Sequence, residues 1–395
     1  MVVSHPIQYW APLLRLLAES EGIRLKCVFL TNFTVQGQFD PGFGVQVKWD
    51  VPLLEGYEHE FIGGRQVAEC GKLDRQRVSD LNRIVSREYT DVLLLHGFHT
   101  PTAVLAIAMA RARGIPVMLR TDTQRGVVKR AKGLRGTVKE LLVRRVVRAG
   151  DAMLSVGTLN AKYYSSLGVP DSKIFRVPYA VENGRFALSD SESKAACEEL
   201  QASLSLEAGH PVILFAGKFQ KRKRASDLYA AFKLLKQNHP SINPYLLYVG
   251  DGEGRSELEA AVRADGTNRV VFAGFQNQTA LPKFLKLSSV FVLPSDAEPW
   301  GLAVNEAMSA SKAVIVSDEV GCAPDLVQNN VNGTVFPVGD IDALAESLAT
   351  VLANESTWTR MGQSSAEIIS DWTYDADIVG IRAAIAAVSR PGTRP

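Results

Sequence analysis

The sequence has few of the features that define membrane, secreted or metal-binding proteins. Only four of its 395 residues are cysteine, and Cys27, Cys70, Cys197 and Cys322 have neither metal-ligand spacing nor the pattern of a disulfide framework. No apolar run reaches the roughly 18 residues that a membrane span needs. The opening residues lack the charged and apolar regions of a signal peptide. The sequence therefore predicts a cytoplasmic protein.

The chain also lacks a large excess of positive or negative charge. The 44 Lys and Arg residues nearly balance the 42 Asp and Glu residues, which gives a formal net charge of +2. A balanced chain that is 46% hydrophobic and 22% charged has the composition of a globular protein. Because 395 residues are too many for one ordinary hydrophobic core, we expect two domains of about 180 residues each.

The cations are unevenly spread. Residues 111–148 contain twelve Lys and Arg against two acids, and no aromatic residue lies between positions 120 and 148, which disfavours a nucleic-acid partner. Residues 141–148 place apolar side chains on a helical period with arginines between them. Residues 120–148 are therefore expected either to dock on an anionic membrane or an acidic acceptor, or to form a solvated basic face. The second alternative packs four apolar residues into the core: Leu141, Leu142, Val146 and Val147.

Short apolar runs alternate with helical patterns along the whole chain, which favours parallel sheets with right-handed crossovers. In the first half, strands are predicted at 25–30, 92–95, 117–120, 153–156 and 175–177, with a helix at 100–113. After a polar stretch, strands are predicted at 212–215, 245–249, 270–272, 290–293 and 313–316. Helices are predicted at 194–203, 226–238, 255–263, 281–287, 302–310 and 341–352. Two such doubly wound units predict a ligand cleft at the carboxyl ends of their strands.

The most informative segment joins a predicted strand to the helix that follows it. It runs from Glu298 through Pro-Trp-Gly to Glu306, one turn inside the helix. The amides of Gly301, Leu302 and Ala303 are expected to be unpaired donors at the helix start, where phosphate binds. Glu306 could then accept hydrogen bonds from a ribose, and Glu298 from sugar hydroxyls. The alternative is that both glutamates are ordinary acids favoured by the helix dipole.

A run of cations follows the first predicted strand of the second unit. The strand ends in Ala-Gly, and Lys218 and Lys223 come after it among further basic residues. The carboxyl ends of parallel strands meet at one edge of a sheet, so these lysines are expected to face the same cleft mouth as the loop that carries Glu298. Lysine supplies the compact positive charge that a diphosphate needs. A basic surface turn is the alternative.

Together these motifs resemble the retaining GT-B glycosyltransferases grouped as glycosyltransferase family 4. One hallmark of that family is two glutamates separated by seven residues, with proline and glycine after the first, and Glu298 and Glu306 fit it. Another is a basic residue after a strand-end glycine and a lysine five residues on, and Lys218 and Lys223 fit that. The resemblance extends to residues 249–252, 272–275 and 332–333.

The resemblance implies an α/β chain of two Rossmann-like domains, at 1–180 and 181–372, with the donor site in the cleft between them. It also implies that a helix within 373–395 crosses back to the first domain. Gly274 and Phe275, which follow the strand expected at the centre of the second sheet, would lie near the nucleobase of the donor.

The family's functional residues carry over to four positions of this sequence. Lys218 and Lys223 would hold the donor diphosphate, Glu306 the ribose hydroxyls and Glu298 the transferred sugar. The reaction implied is transfer of a sugar from a nucleoside diphosphate to a hydroxyl with retained anomeric configuration. We expect neither a cofactor nor a metal ion, because the lysines and helix amides can stabilise the leaving diphosphate.

The first domain matches the family less closely. His96 ends a strand where the family has a histidine near the donor sugar, and His99 is a nearby rival. A polar residue that merely caps the strand is the alternative. Weaker candidates are His5 and Gln8 after the first strand, and residues 39–57 form an aromatic, turn-rich segment that either shapes the acceptor site or packs as a surface loop.

The partners expected from the resemblance are a nucleotide-sugar donor and an acceptor, which is a glycan, a lipid-linked sugar or a small molecule. If residues 120–148 dock on a membrane, the protein is peripheral on the inner face of that membrane. Two other functions fit the same fold. One is a nucleotide-sugar 2-epimerase, and the other is a non-catalytic protein that binds nucleotide sugars.

Overall fold

A computed structural model of the chain describes residues 1–35, 37–63, 73–98, 100–124, 134–188 and 190–389. Its contacts divide the chain into two compact units. The first unit comprises Met1–Gln38, Val51–Tyr179 and Tyr374–Pro395, and the second comprises Phe39–Asp50 and Ala180–Thr373. Each contains a parallel sheet with helices, which confirms the predicted α/β fold class with two Rossmann-like units.

The chain up to residue 180 forms the first large sheet. The strands in this part of the chain are β1 (Val2–Val3), β2 (Lys26–Phe29), β3 (Gln38–Asp40), β4 (Val45–Val47), β5 (Glu58–Phe61), β6 (Leu93–His96), β7 (Val117–Thr121), β8 (Ala152–Ser155) and β9 (Ile174–Arg176). Its helices are α1 (Ala11–Glu19), α2 (Arg75–Ile84), α3 (Pro101–Ala112), α4 (Leu134–Arg148) and α5 (Thr158–Ser166). The sheet has the order β5-β2-β1-β6-β7-β8-β9, while β3 and β4 pair separately. Its topological switch point lies between β1 and β6.

The remaining chain forms the second sheet. Its strands are β10 (Val212–Ala216), β11 (Tyr245–Val249), β12 (Val270–Phe272), β13 (Val290–Leu293), β14 (Ala313–Ser317) and β15 (Gly333–Phe336). Its helices are α6 (Asn183–Phe186), α7 (Asp190–Ser203), α8 (Ala225–Asn238), α9 (Arg255–Ala264), α10 (Leu281–Leu287), α11 (Leu302–Ser309), α12 (Ala323–Leu326), α13 (Ile341–Val351) and α14 (Glu355–Ile369). A last helix, α15 (Tyr374–Val388), belongs to the first unit.

The order of the second sheet, β12-β11-β10-β13-β14-β15, places its switch point between β10 and β13. All neighbouring strands are parallel, so the carboxyl ends of β10 and β13 lie side by side. The chain starts at the centre with β10 and winds outward to β12 before it returns to β13. The strand before Gly274 and Phe275 is therefore at an edge of the sheet, and the expectation that it is central was wrong.

The central strands are near-continuous apolar runs, as strands covered on both faces require. Every residue of β11, β13 and β14 is buried. Helix α8 packs Leu228, Phe232 and Leu235 into the same core. This core fixes the backbone positions at which β10 and β13 end.

Helix α15 is fastened to the first sheet by a buried ion pair. Arg120, in β7, lies 3.3 Å from Asp377 of α15, and both side chains are almost fully buried. The guanidinium also lies over the rings of Trp10 and Tyr179, at 4.5 and 5.3 Å. The expectation that Arg120 belongs to an exposed basic surface was therefore wrong, because a carboxylate and two aromatic faces compensate for its burial.

Helix α4 divides the apolar residues of the basic stretch between core and solvent. Val147 is fully buried and Val146 partly buried, whereas Leu141 and Leu142 are 56% and 59% exposed. Residues 125–133, which carry several of the expected cations, lie outside the described residues. The alternative that packs all four apolar residues into the core was therefore wrong for the two leucines. Within the described ranges, no helix is both long and apolar enough to cross a membrane.

Candidate functional site

The chain leaves β10 in a tight turn that carries both candidate lysines. The Gly217 amide donates to the Val249 carbonyl of β11 at 2.9 Å, which extends the sheet by one step beyond Ala216. Lys218 follows at once, and a single 3₁₀ turn at Lys221–Lys223 leads into α8. The ammonium of Lys218 contacts the carboxylate of Asp40, whereas that of Lys223 contacts the carboxylate of Glu298.

Glu298 is held by backbone hydrogen bonds to the loop after β14. Its amide donates to the Glu319 carbonyl at 3.1 Å, and its own carbonyl accepts from the Gly321 amide at 3.0 Å. Its side chain is only 10% exposed and accepts hydrogen bonds from Lys223 and, at 3.0 Å, from Arg222. The two loops that end β10 and β13 are thus joined by a triad of one carboxylate and two cations.

A glycine is required where this loop enters α11. Gly301 has φ +101°, and a Cβ there would lie 3.0 Å from both Leu293 and Val320. Helix α11 begins at the next residue, Leu302, so the amides of Leu302 and Ala303 have no acceptor within the helix. They are suited to an anion, as the sequence predicts.

Glu306 lies one turn into α11. Burial raises the pKa of its carboxyl to about 7, against the opposing effect of Arg185. Arg185 belongs to α6 and donates to the Gln278 side chain at 2.7 Å. A carboxyl that titrates near neutrality can act either as a hydrogen-bond donor or as an anionic acceptor.

Phe275 lies under the 39–50 segment, which we define as Phe39–Asp50. Its ring meets Phe43 edge-on at a centroid distance of 4.9 Å and Trp49 at 6.4 Å. Gly274 has φ +70°, and its carbonyl accepts from the Gly250 amide at 2.8 Å. These contacts give the predicted base-binding residues aromatic neighbours from a distant part of the sequence.

Two family profiles match the chain. The one described as Glycosyl transferases group 1 matches residues 197–367, and the one described as Glycosyl transferase 4-like domain matches residues 40–180. Together they cover most of the sequence. This chain belongs to the glycosyltransferases of the type that these two profiles describe.

Relatives agree with that assignment, and a solved structure has a similar fold. The glycosyltransferase is 30% identical over 200 residues to an uncharacterized glycosyltransferase of Methanocaldococcus jannaschii, a match that covers 50% of this chain and about half of the relative, 49%. It is 24% identical to N-acetyl-alpha-D-glucosaminyl L-malate synthase of Bacillus anthracis, over 82% of this chain and 81% of that enzyme. The fold resembles that of Anabaena HepE in complex with UDP, with a TM-score of 0.73, 17% identity, and coverage of 98% and 99% of the two chains. These comparisons give no support to the 2-epimerase alternative.

Three residues of this site in the glycosyltransferase were not expected from the sequence. Arg222 belongs to the same run of basic residues as Lys218 and Lys223, but nothing in the sequence distinguishes it as a partner of Glu298. Asp40 and Arg185 carry no motif at all. Their contacts join segments far apart along the chain, since Asp40 and Lys218 are separated by 178 positions.

His96 belongs to the first unit of the glycosyltransferase and lies at the end of β6, beside the switch point. Its ring packs against Trp10 at a centroid distance of 4.7 Å. Burial, Arg120 and His5 together lower the pKa of His96 to about 3. The imidazole is therefore neutral at physiological pH and suits hydrogen bonding rather than charge stabilisation. His99, the rival candidate, lies outside the described residues.

The chemistry available in the second unit is recognition of an anion and of hydroxyl groups. Lys218 and Lys223 provide cations, the start of α11 provides amides, and Glu298 and Glu306 provide acceptors. Among the described residues, no group of three or more His, Cys, Asp or Glu side chains could hold a metal ion.

Proposed function

We propose that this glycosyltransferase moves a sugar from a nucleoside diphosphate to an acceptor hydroxyl with retention of anomeric configuration. The acceptor is a glycan, a lipid-linked sugar or a small molecule. The observation that carries the proposal is the triad of Lys223, Arg222 and Glu298, which joins the ends of β10 and β13. This is the crevice in which open α/β sheets bind ligands.

The proposed step breaks the bond between the anomeric carbon and the diphosphate oxygen and forms a bond to the acceptor oxygen on the same face. The proton of the acceptor hydroxyl passes to the leaving diphosphate. Negative charge grows on that diphosphate, and Lys218, Lys223 and the first amides of α11 stabilise it without a metal ion. Glu306 accepts hydrogen bonds from the ribose, and Glu298 accepts them from the transferred sugar.

A donor screen tests this proposal. UDP-, GDP-, ADP- and dTDP-sugars are incubated with the full chain and EDTA, with and without a panel of acceptor alcohols, and the released nucleoside diphosphate is measured. We expect acceptor-dependent release from one donor class and a product that keeps the anomeric configuration of the donor by NMR. The Lys223→Ala variant serves as the control with strongly reduced activity. Conversion of a donor to its 2-epimer without acceptor, or an inverted product, would contradict the proposal.

We also propose that α4 docks on an anionic membrane surface. Val138, Leu141 and Leu142 are 49%, 56% and 59% exposed, and their spacing places them on one face of the helix. Lys139 and Arg145 are exposed beside them. Apolar side chains that can enter the interface, flanked by cations that attract anionic lipid, are typical of a surface-lying helix.

Sedimentation with lipid vesicles tests whether α4 docks on a membrane or only presents a solvated basic face. We expect binding to vesicles of phosphatidylcholine with 30% phosphatidylglycerol that fades as salt rises, because each cation near such a surface contributes about 1 kcal/mol. The double variant Leu141→Glu/Leu142→Glu should lose this binding. Val379→Glu, which changes an apolar residue of α15 that is 68% exposed, is the matched control. Absence of binding to both neutral and anionic vesicles at low salt would reject docking.

A further inference from the structure

The 39–50 segment groups with the second unit, although the residues on both sides of it in sequence group with the first. It contains the last two residues of β3, all of β4 and the turn between them, and its C-terminal end forms hydrogen bonds just before α10. There the Asn277 side chain donates to the Lys48 carbonyl at 2.7 Å, and the Thr279 amide donates to Asp50 at 3.2 Å. The near end of the segment lies on Lys218.

The ammonium of Lys218 donates hydrogen bonds to both carboxylate oxygens of Asp40, each at 2.9 Å. The Gly42 and Phe43 amides donate to the same carboxylate at 2.7 and 3.2 Å, which fixes its orientation. Burial tends to raise the pKa of Asp40, but Lys218 and these amides outweigh it and hold the pKa below its usual value. The Asp40 carboxylate therefore binds Lys218, the same cation that the proposed function assigns to the donor diphosphate.

Aromatic side chains of the segment cover the rest of this surface. The Phe43 ring lies 4.6 Å from the Lys218 ammonium and also contacts Phe275. Trp49 approaches Phe275 from the same segment. The segment therefore covers both the proposed phosphate-binding cation and the residue expected near the nucleobase.

Glycines make this close approach sterically feasible. A Cβ on Gly42 would lie 2.7 Å from Cδ and 2.8 Å from Nζ of Lys218. On the opposite side, Gly252 has φ +145°, and a Cβ there would lie 2.9 Å from the Gly42 carbonyl oxygen. The backbone at Gly42 therefore packs directly against the backbone at Gly252 and against the Lys218 side chain, which leaves no room for a larger residue at either glycine.

We propose that the 39–50 segment is a strap over the donor site and that Asp40 competes with the donor diphosphate for Lys218. This inference rests on the proposed function, since it assumes that Lys218 binds the donor. The Asp40 carboxylate contacts the Lys218 ammonium with both oxygens, and the Phe43 ring lies 4.6 Å from the same ammonium. A diphosphate placed beside the carboxylate would also be repelled by it, so donor binding requires the strap to leave.

Calorimetric titration of the full chain with inorganic pyrophosphate, which has no base or sugar, tests the competition. Asp40→Asn removes the competing charge but keeps the side-chain size, and we expect pyrophosphate to bind about tenfold more tightly, since a site that is open only part of the time binds with reduced apparent affinity. The matched control is Asp265→Asn, which removes another carboxylate partner of a lysine in the same unit, Lys233. We expect the affinity of this control to equal that of the unmodified chain.

The Lys218→Ala variant separates failure of this inference from failure of the proposed function. If Lys218→Ala loses pyrophosphate binding but Asp40→Asn binds no more tightly than the unmodified chain, Lys218 is a phosphate ligand and Asp40 only positions it, which overturns the strap. If Lys218→Ala binds pyrophosphate as the unmodified chain does, the donor assignment of Lys218 fails, and the strap fails with it.

Hydrogen exchange provides a second measurement that needs no variant at Asp40. The amides of Gly42, Phe43 and Gly44 all donate to Asp40. Pyrophosphate should therefore speed exchange of the peptide that contains them, whereas unchanged or slower exchange would show that the segment stays on the site and would overturn the proposal. Phe43→Ala, which keeps the carboxylate but removes the ring over Lys218, should also bind pyrophosphate more tightly, and weaker binding would count against the strap.

Discussion

We expect Lys223→Ala to lower kcat/KM for sugar transfer about a hundredfold. A charge-assisted contact with phosphate contributes roughly 1.5–3 kcal/mol, and Lys223 is expected to make such a contact with the leaving group. The same change removes one of the cations that contact Glu298, whereas the contact of that carboxylate with Arg222 is retained. Initial rates at subsaturating donor, with EDTA present, give the ratio directly.

The control for Lys223→Ala is Lys221→Ala, an exposed lysine in the same 3₁₀ turn. It removes the same charge from the same loop without removing a contact to Glu298. We expect kcat/KM to change less than twofold, since exposed charges contribute little. Lys218→Ala should lower kcat/KM at least about tenfold by the same phosphate argument. Retention of full activity by both Lys218→Ala and Lys223→Ala would show that the diphosphate binds elsewhere.

Glu306→Ala should weaken donor binding by at least about tenfold and abolish most of the transfer activity while the fold remains intact. Its carboxyl stands one turn inside a helix whose first amides are proposed to hold phosphate, at a position suited to the ribose hydroxyls. Calorimetric titration with the nucleoside diphosphate of the donor that the screen identifies measures the binding part. Donor affinity equal to that of the unmodified chain would remove Glu306 from the site.

The titration of Glu306 adds a pH dependence to the same prediction. Its folded pKa of about 7 lies above the ordinary glutamate value of 4.5, so its contribution to stability is fully present below pH 4.5 and is lost as pH rises through 7. Glu306→Gln should remove this loss, which amounts to at most about 3 kcal/mol at pH 8. Denaturant unfolding at pH 5 and pH 8 checks the sign: a variant that is less stable than the unmodified chain by the same amount at both values would contradict it.

That Lys223 and Glu298 lie at the same edge of the sheet could be predicted because it depends on a general property of parallel sheets, whereas their ion pair was not predicted. Each residue follows a strongly apolar strand, and strands at a switch point end side by side. The position of Phe275 could not be predicted in the same way. The apolar run before it identifies a strand but not its place in the sheet, and strand order depends on how helices pack between strands that are distant in sequence.

Other predictions were wrong because the same type of residue can be either buried or exposed. Arg120 follows three apolar residues at the end of a strand, where a cation normally marks the surface, and only the distant Asp377 shows that it is buried. Leu141 and Leu142 have the composition of a helix core, yet they are exposed, because Val147 and its neighbours already fill the contact between α4 and the sheet. The strand β15 was not predicted, since it is short and begins with glycine.

The ion pair between Arg120 and Asp377 has a consequence for how the chain is synthesised. Asp377 follows Arg120 by 257 positions, so a ribosome that adds about 5–20 residues per second needs roughly 10 to 50 seconds to supply the carboxylate after the guanidinium has been made. During that interval the first sheet lacks both α15 and the counter-charge of a buried cation. The whole of Ala180–Thr373 is translated in the meantime, which allows the second unit to fold before the first can be completed.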